Sequence, residues 1–187
     1  MYGADATEND AYVKMINQKH FDRVTGLIDP EKVIFGGGRN ERTMQIQPTI
    51  LDDVTAEDAV MQEEIFGPIF PILSVDSMAE AEEFICKREK PLALYLFTQN
   101  KALAERFLRY VPFGGGCIND TIVHLATSRM GFGGVGHSGM GSYHGKKSFD
   151  TFSHEKSVLQ KSTRIDMPVR YMPYTPLKDR LLRVFLR

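Results

Sequence analysis

The strongest constraint on the fold is a polar loop that runs through a turn directly into an apolar segment. The loop occupies residues 60–66, carries two adjacent glutamates and Phe66, and ends at the turn signal Gly67-Pro68. Residues 69–75 form a mostly apolar run of strand length, which is typical of a parallel strand covered by helices on both faces. Since open α/β sheets bind ligands at such strand ends, this loop is the first candidate site.

Strands and helices alternate through the middle of the chain. Apolar runs predict strands, and apolar residues at helical spacing behind Ser77 or Asn100 predict capped helices. The predicted order is strand 69–75, helix 78–88, strand 92–98, helix 101–110 and strand 117–119. Short connections between these elements favour a parallel sheet with right-handed crossovers. The predicted fold class is therefore α/β, a partial Rossmann-like parallel sheet flanked by helices.

The two ends of the chain have different patterns. Before the loop, the sequence predicts helices at 10–17 and 20–28 and strands at 32–35 and 46–51, with Pro48 confining the last to an edge or bulge. Residues 120–142 are glycine-rich and aperiodic, which indicates a functional loop over a pocket. Beyond it we predict a short helix at 143–152, a strand at 156–161 and a basic amphipathic helix at 177–187. The resulting units are residues 1–153, an extended strand at 154–163 and a tail at 164–187.

Composition excludes several classes of protein. A formal net charge of -1 gives no basic field for nucleic acid. No apolar run approaches the ~20 residues that span a bilayer, and no signal peptide is evident. The two cysteines lie far apart, and the histidines lack metal-ligand spacing, so we expect neither a disulfide framework nor a metal site. Cysteine usage fits a reducing compartment, and we expect a cytoplasmic protein.

Four motifs in family order resemble the aldehyde dehydrogenase superfamily, and most of all its class 3 branch, which includes the fatty aldehyde enzymes. They are Glu63-Glu64-Ile65-Phe66-Gly67-Pro68, the run Lys-Pro-Leu-Ala-Leu-Tyr at 90–95, Phe-Gly-Gly-Val-Gly-His-Ser-Gly-Met-Gly at 132–141, and Tyr-His-Gly-Lys-Lys-Ser-Phe-Asp-Thr-Phe-Ser-His at 143–154. The resemblance covers nearly the whole chain and corresponds to the C-terminal portion of the family. It identifies residues 1–153 as part of a catalytic, aldehyde-binding domain.

The resemblance implies which residues contact cofactor and substrate. Glu64 corresponds to the carboxylate that accepts hydrogen bonds from the nicotinamide ribose, and Phe66 to the ring that packs against ribose and nicotinamide. The family's glycine-rich loop lines the aldehyde pocket, so Phe132 is the candidate pocket wall, with Ile122 and His144 as further candidates. Capping and core packing are the ordinary alternatives for these side chains.

Other features have plainer interpretations. The glycines at 131–136 formally match a dinucleotide fingerprint, but no core strand precedes them and no βαβ unit follows. Gly131 replaces the family's usual proline, which predicts a looser loop. Asn119 is expected to bond backbone at a turn. The histidines at 124, 137, 144 and 154 are expected to face solvent or to support other residues.

Cys117 requires separate treatment because His124 follows it seven residues later, a pairing that suggests a nucleophile. The family position is ordinarily small and apolar, and the family's nucleophile belongs to a segment before any residue present here. We therefore interpret Cys117 as a buried structural thiol. Cys86, beside Lys87 and Arg88, is interpreted as an ordinary helix position.

An intact family member oxidises aldehydes to carboxylic acids with NAD or NADP. The resemblance implies that a cysteine thiolate attacks the aldehyde, hydride passes to the cofactor, and a glutamate-activated water hydrolyses the thioester. This sequence has no counterpart of the nucleophilic cysteine, the general-base glutamate or most of the cofactor domain. We expect no catalytic residue in it and no aldehyde oxidation by this chain alone.

This interpretation predicts three candidate partners, namely a second copy of the chain, a complementary chain and a membrane surface. Unpaired sheet edges predict self-association or a need for a complementary N-terminal chain. The resemblance implies that residues 156–161 extend a neighbouring subunit's sheet in a homodimer, and an edge strand of the same domain is the alternative. Two other functions stay open, a non-catalytic interaction module and a membrane-surface module that uses the amphipathic tail.

Overall fold

The computed structural model describes residues 2–185 as short strands and helices that alternate along the chain. The helices are α1 (Gln18–Gly26), α2 (Met78–Cys86), α3 (Lys101–Tyr110), α4 (Gly145–Thr151) and α5 (Pro176–Phe185). The strands are β1 (Val33–Phe35), β2 (Arg39–Asn40), β3 (Gln45–Ile46), β4 (Thr49–Leu51), β5 (Ile69–Pro71), β6 (Ala93–Leu96) and β7 (Gly115–Ile118). The α/β class is confirmed.

The strands are divided among three small sheets, although a single parallel sheet was predicted. β4 pairs in parallel with β5 and antiparallel with β1, whereas β2 and β3 form an antiparallel pair. β6 and β7 form a separate parallel pair in which Leu94 lies opposite Gly116. β5 and β6 therefore lie in different sheets, with β5 paired to β4 and β6 paired to β7.

Most predicted helices form where their caps indicated. The Ser77 side chain accepts a hydrogen bond from Glu80 N–H at 3.2 Å, and Asn100 accepts one from Leu103 N–H at 3.2 Å. α3 has the predicted bounds of 101–110, and α1 and α2 differ from prediction by no more than two residues at each end. The strand predicted at 46–51 is divided at Pro48, which has no backbone N–H and separates β3 from β4. The predicted edge position is wrong for β4, which lies between β1 and β5.

The helix predicted at 10–17 is wrong, and tertiary hydrogen bonds are the reason. The side-chain amide of Gln45, which is 1% exposed, donates to the carbonyl oxygen of Tyr12 at 2.9 Å. Met15 N–H donates to the Met44 carbonyl oxygen at 2.8 Å. These bonds use backbone groups that a helix would need for itself. Burial of Tyr12 in this segment also raises the pKa of its phenol.

Two hydrophobic cores hold the elements together. The first joins Phe21 and Val24 of α1 to residues from β3, β4, β5, the connection after β4 and the loop at 60–66, which we call the central loop. These residues are Ile46, Leu51, Val54, Val60 and Ile69. The second packs β6 against α3 through Leu94, Leu96, Phe107 and Val111. Burial stabilises each such side chain by about 1.5–3 kcal/mol. The first core therefore fixes the strand at which the central loop ends.

The C-terminal region follows the prediction in part. Residues 154–163 form no strand within the described chain and are exposed, because a strand needs a neighbour and none of residues 2–185 pairs with them. The helix at 143–152 and the tail helix both form, as α4 and α5. Leu186 and Arg187, which were predicted to continue the tail helix, lie outside the described residues. Within residues 2–185, no helix is long and apolar enough to cross a bilayer.

One ion pair near the first core predicts a change of stability with pH. Lys32 Nζ donates to Asp58 Oδ2 at 2.5 Å, and this hydrogen bond, with another from Thr55 N–H, lowers the pKa of Asp58 below its ordinary value of 3.8. A lowered folded-state pKa stabilises the fold above pH 3.8, and that contribution is lost as the pH falls further.

We therefore expect Asp58→Asn to lower the free energy of unfolding at neutral pH, and the deficit to shrink as the pH falls below 3.8. Urea denaturation across a pH series measures both effects. Glu57→Gln, at an exposed neighbouring position, is the matched control. A deficit that stays constant through the acid range would contradict this assignment.

Candidate functional site

A single arginine of α1 fastens the central loop. Nη1 of Arg23 donates to the Glu63 carboxylate at 2.8 Å and to the Glu64 carbonyl oxygen at 3.3 Å, and Nη2 donates to the Ile65 carbonyl oxygen at 2.6 Å. One planar guanidinium thus binds three successive residues. The Glu64 carboxylate is exposed and forms no ion pair with any described residue, so its oxygens are available to a ligand.

The turn after Glu64 is pressed against α1. A Cβ at Gly67 would lie 2.6 Å from Cγ1 of Val24, a residue with no exposed surface, so only glycine fits without movement. Phe66 has a φ of 48° and a side chain that is 79% exposed. The positive φ strains the backbone, and burial of the exposed ring does not offset that strain. Such a residue indicates a functional position.

A cleft of about 970 Å³ opens between this loop and the segment that leads into β6. Its volume is in the range of small-molecule sites. Glu64 lies on one side, and residues from two other segments complete the wall, including Lys87, Lys90, Leu92, His137 and Ser138. The cleft therefore offers carboxylate acceptors and ammonium donors to one ligand. Phe66 does not line it.

A second feature is an aromatic cluster, which comprises Tyr95, His124, Phe132, Tyr143 and His144. The Phe132 and His144 rings stack with centroids 6.2 Å apart, and the His124 and Phe132 centroids are 5.8 Å apart. Backbone hydrogen bonds of 2.9 and 3.0 Å join Phe132 to Tyr143 and close the loop on itself. Two predicted pocket residues, Phe132 and His144, are thus in contact. Tyr95, Tyr143 and His124 were not predicted to join them.

Ile122 lies where the chain enters the short turn Val123–Leu125, which carries His124. Its side chain is 59% exposed, and its φ is 65°, a conformation that β-branched residues rarely adopt. His144 also has a positive φ, of 89°. With Phe66, three of the five predicted ligand-contacting residues have left-handed backbone, and such strain concentrates at binding sites.

The glycine-rich segment connects the cleft to the aromatic cluster. Phe132 of this segment belongs to the cluster, and His137 and Ser138, a few residues later, line the cleft. Nδ1 of His137 also lies 3.1 Å from the Glu89 carboxylate. One loop can therefore shape two adjoining parts of a site.

Cys117 and His124 differ from what the sequence indicated. Cys117 is half-buried rather than buried, with Sγ 3.7 Å from Nδ1 of His124. His124 is only 7% exposed, so of the two expected positions it takes the one that supports other residues and not the one that faces solvent. The turn that carries His124 packs so closely against β7 that a Cβ on Gly115 would lie 3.2 Å from the imidazole. Cys86 is exposed at the end of α2, as expected of an ordinary helix position.

The Asn119 side chain bonds to backbone, as predicted, but to the backbone of Thr98 after β6 and not to that of its own turn. Its Oδ1 accepts from Thr98 N–H at 2.7 Å, and its Nδ2 donates to the Thr98 carbonyl oxygen at 2.9 Å. The side chain thus joins the chain ends that follow β6 and β7. Across the described part of the chain, no group of three or more metal-ligating side chains is arranged to hold an ion.

Comparison with known proteins gives the family. The model of the aldehyde dehydrogenase family matches residues 2–158. Aldehyde dehydrogenase family 3 member H1 of Arabidopsis thaliana is 47% identical over 189 residues, covering 99% of this chain and 39% of its own length. The dimeric NADP-preferring aldehyde dehydrogenase of Rattus norvegicus is 52% identical over 161 residues, covering 86% of this chain and 36% of its own length.

The fold agrees with these relatives. The substrate-bound structure of Staphylococcus aureus AldH superposes with a TM-score of 0.90 and 47% identity, over 100% of this chain and 41% of that one. The chain therefore spans about two fifths of the length of the proteins that it matches. With 157 matched residues in the interval 2–158 and a solved relative over its whole length, this chain belongs to the aldehyde dehydrogenase family, a family of oxidoreductases that includes its family 3 relatives.

Proposed function

We propose that this chain supplies the nicotinamide-ribose contact and part of the aldehyde pocket of an NAD(P)-dependent aldehyde dehydrogenase. One observation carries the proposal. The Glu64 carboxylate lines a cleft of about 970 Å³, free of ion pairs with described residues, while Arg23 holds the backbone beneath it. A carboxylate with both oxygens free can accept hydrogen bonds from two vicinal hydroxyls. These residues therefore fit the sugar of a nicotinamide cofactor.

The exposed ring of Phe66, which lies outside the cleft, is the proposed surface for the nicotinamide beyond the sugar. It lies two residues beyond Glu64 on the same fastened loop and can pack against the flat ring of the cofactor. When bound, the cofactor supplies a hydride acceptor. The contribution of this chain is to orient the acceptor ring, because hydride transfer depends on the alignment of the two reacting carbons. Either NAD or NADP satisfies these contacts.

The aromatic cluster is the proposed wall for the aldehyde. Phe132 and His144 stack there, and Ile122 leads into the turn that carries His124. An apolar and aromatic surface excludes water and favours the hydrocarbon part of an aldehyde. None of these side chains takes the part of the nucleophile in this proposal, because the family's cysteine segment has no counterpart among these residues.

The purified chain alone is expected to reduce neither NAD nor NADP with any aldehyde. Loss of a catalytic nucleophile lowers turnover by roughly 10⁶-fold in a well-studied protease, which places activity below detection. The measurement is NAD(P)H fluorescence, first with this chain and then after addition of a chain that carries the cysteine segment. We expect activity only with both. Turnover by this chain alone would refute the proposal.

Residues 154–163 are the proposed contact with a second subunit. They are exposed, and they pair with no strand of the described chain. Such a segment can add to the open edge of another sheet, in a homodimer or with a complementary N-terminal chain. We expect Val158→Pro to lower the average mass measured by light scattering from that of a dimer towards that of a monomer. Proline lacks the backbone N–H that would form a hydrogen bond between the two strands. Val158→Ala, which changes the same exposed side chain but keeps the backbone N–H, is the matched control.

A second candidate function is attachment to a membrane surface. In α5, the exposed side chains Leu177, Val184 and Phe185 accompany Lys178, Arg180 and Arg183 on one short helix. This combination suits the interface of anionic lipid. Flotation with anionic liposomes, with and without residues 164–187, tests it. If the protein does not bind the liposomes, we propose that it is cytoplasmic. If the chain that carries the cysteine segment does not restore aldehyde oxidation, we propose that this protein is a non-catalytic interaction module.

A further inference from the structure

A cysteine and a buried histidine are in contact beside the aromatic cluster. Cys117 lies on β7, directly opposite Tyr95 of β6, and its Sγ is 3.7 Å from Nδ1 of His124. That distance is within range of a hydrogen bond to sulfur. Cys117 is half-buried, so the residue is not fully enclosed by the described chain. The family interpretation of this position as a small buried residue leaves such a pair without a role.

The histidine provides an independent observation. His124 is 7% exposed, and its Nε2 is buried without a hydrogen-bond partner among the described residues. Buried polar atoms are usually satisfied, and an unsatisfied nitrogen requires an explanation. The thiol is the only polar contact described for this side chain. An imidazole with no competing partner is available to exchange a proton with sulfur.

The aromatic rings around His124 indicate which class of electrophile would react with Cys117. The His124 ring lies 5.7 Å from the Tyr95 ring and 5.8 Å from the Phe132 ring, measured between centroids. Flat aromatic walls favour flat conjugated molecules, and thiols prefer soft carbon electrophiles. We propose that Cys117, assisted by His124, is a covalent modification site for α,β-unsaturated aldehydes. Only the choice of aldehydes as the electrophile rests on the proposed aldehyde pocket. The modification itself goes beyond oxidation.

The addition balances without a further reagent. Sγ forms a bond to the β-carbon as the carbon–carbon π bond breaks, and the thiol proton passes to Nδ1 of His124. The electron pair moves to the carbonyl oxygen as an enolate. The proton then returns to the α-carbon, which restores the carbonyl. The product is a saturated thioether aldehyde, with no net oxidation or reduction and no leaving group.

Cys86 makes the experiment internally controlled. It is the other cysteine of the chain, it is exposed, and no histidine contact is described for it. The full chain is incubated with acrolein, and the two cysteine peptides are quantified by mass spectrometry over time. We expect Cys117 to react at least about tenfold faster than Cys86. General-base assistance typically raises a rate by 10²–10⁴-fold, and the partial burial of Cys117 lowers its rate of addition by part of that factor. Propanal, which lacks the double bond, should leave no thioether.

Variants separate assistance by His124 from simple exposure. His124→Gln should reduce the rate at Cys117 to that of Cys86 or below, whereas His20→Gln, at a histidine of α1 outside the site and the proposed subunit contact, should not change it. Circular dichroism checks that both variants fold. If His124→Gln does not fold, the comparison of the two cysteines within the unmodified chain decides alone. Equal or slower labelling of Cys117, or a rate unaffected by His124→Gln, overturns the proposal. Because no turnover is measured, this outcome is separate from that of the oxidation assay.

Discussion

In an enzyme reconstituted from this chain and a chain that carries the nucleophile, Glu64→Gln is expected to lower kcat/KM for NAD(P) by roughly 10- to 100-fold. A hydrogen bond to a charged group contributes about 1.5–3 kcal/mol, and 1.4 kcal/mol corresponds to about tenfold. Glutamine keeps one acceptor oxygen but loses the charge and the second acceptor. Steady-state kinetics with the cofactor varied at saturating aldehyde measure the loss.

Glu63→Gln is the matched control because Glu63 adjoins Glu64 but directs its carboxylate to Arg23 at 2.8 Å. The side chains of the two residues are equally long, and both lie on the same fastened loop. We expect a change of less than about threefold, since exposed ion pairs contribute up to ~1 kcal/mol. Equal losses in the two variants would contradict a specific role for Glu64.

Gly67→Ala is expected to destabilise the chain by about 1–3 kcal/mol, the usual cost of overpacking. The new Cβ would lie 2.6 Å from Cγ1 of Val24, in the core that joins α1 to the central loop. Either α1 or the loop must move, and a moving loop displaces Glu64 and Phe66. Urea denaturation measures the stability.

The contact itself can be isolated by a double-mutant cycle. Val24→Ala removes the atom that the new Cβ of Gly67→Ala would contact. The loss of unfolding free energy in the double variant should therefore be smaller than the sum of the two single losses, by about 0.5–3 kcal/mol. Gly26→Ala is the control, because a Cβ there meets no atom within 4 Å. Additive effects of Val24→Ala and Gly67→Ala would show that the close approach does not govern this turn.

The elements that could be predicted from sequence are those fixed by local interactions. Ser77 and Asn100 each cap a helix with their own side chain, so α2 and α3 begin where the sequence indicates. Residues 10–17 have an apolar pattern compatible with a helix, but the amide of Gln45 binds the Tyr12 carbonyl oxygen. That contact joins residues 33 positions apart, and no local pattern contains it.

The same distinction applies to the site. Glu64 and Phe66 belong to one short motif, so the motif alone suggested their roles. The aromatic cluster brings together residues from β6, from the turn after β7 and from the segment before α4, including Tyr95, His124 and His144. Phe132 and His144 were predicted through resemblance, whereas His124 was not. Its spacing from Cys117 was the available signal.

The central claim is that the loop fastened by Arg23 holds the nicotinamide ribose. A crystal structure of the reconstituted enzyme with NAD(P) measures this directly. We predict that a Glu64 carboxylate oxygen lies about 2.7–3.2 Å from a hydroxyl of the nicotinamide ribose, with the Phe66 ring packed against the sugar and the nicotinamide. A cofactor whose nicotinamide ribose is bound by other residues, with Glu64 and Phe66 out of contact, would contradict the account.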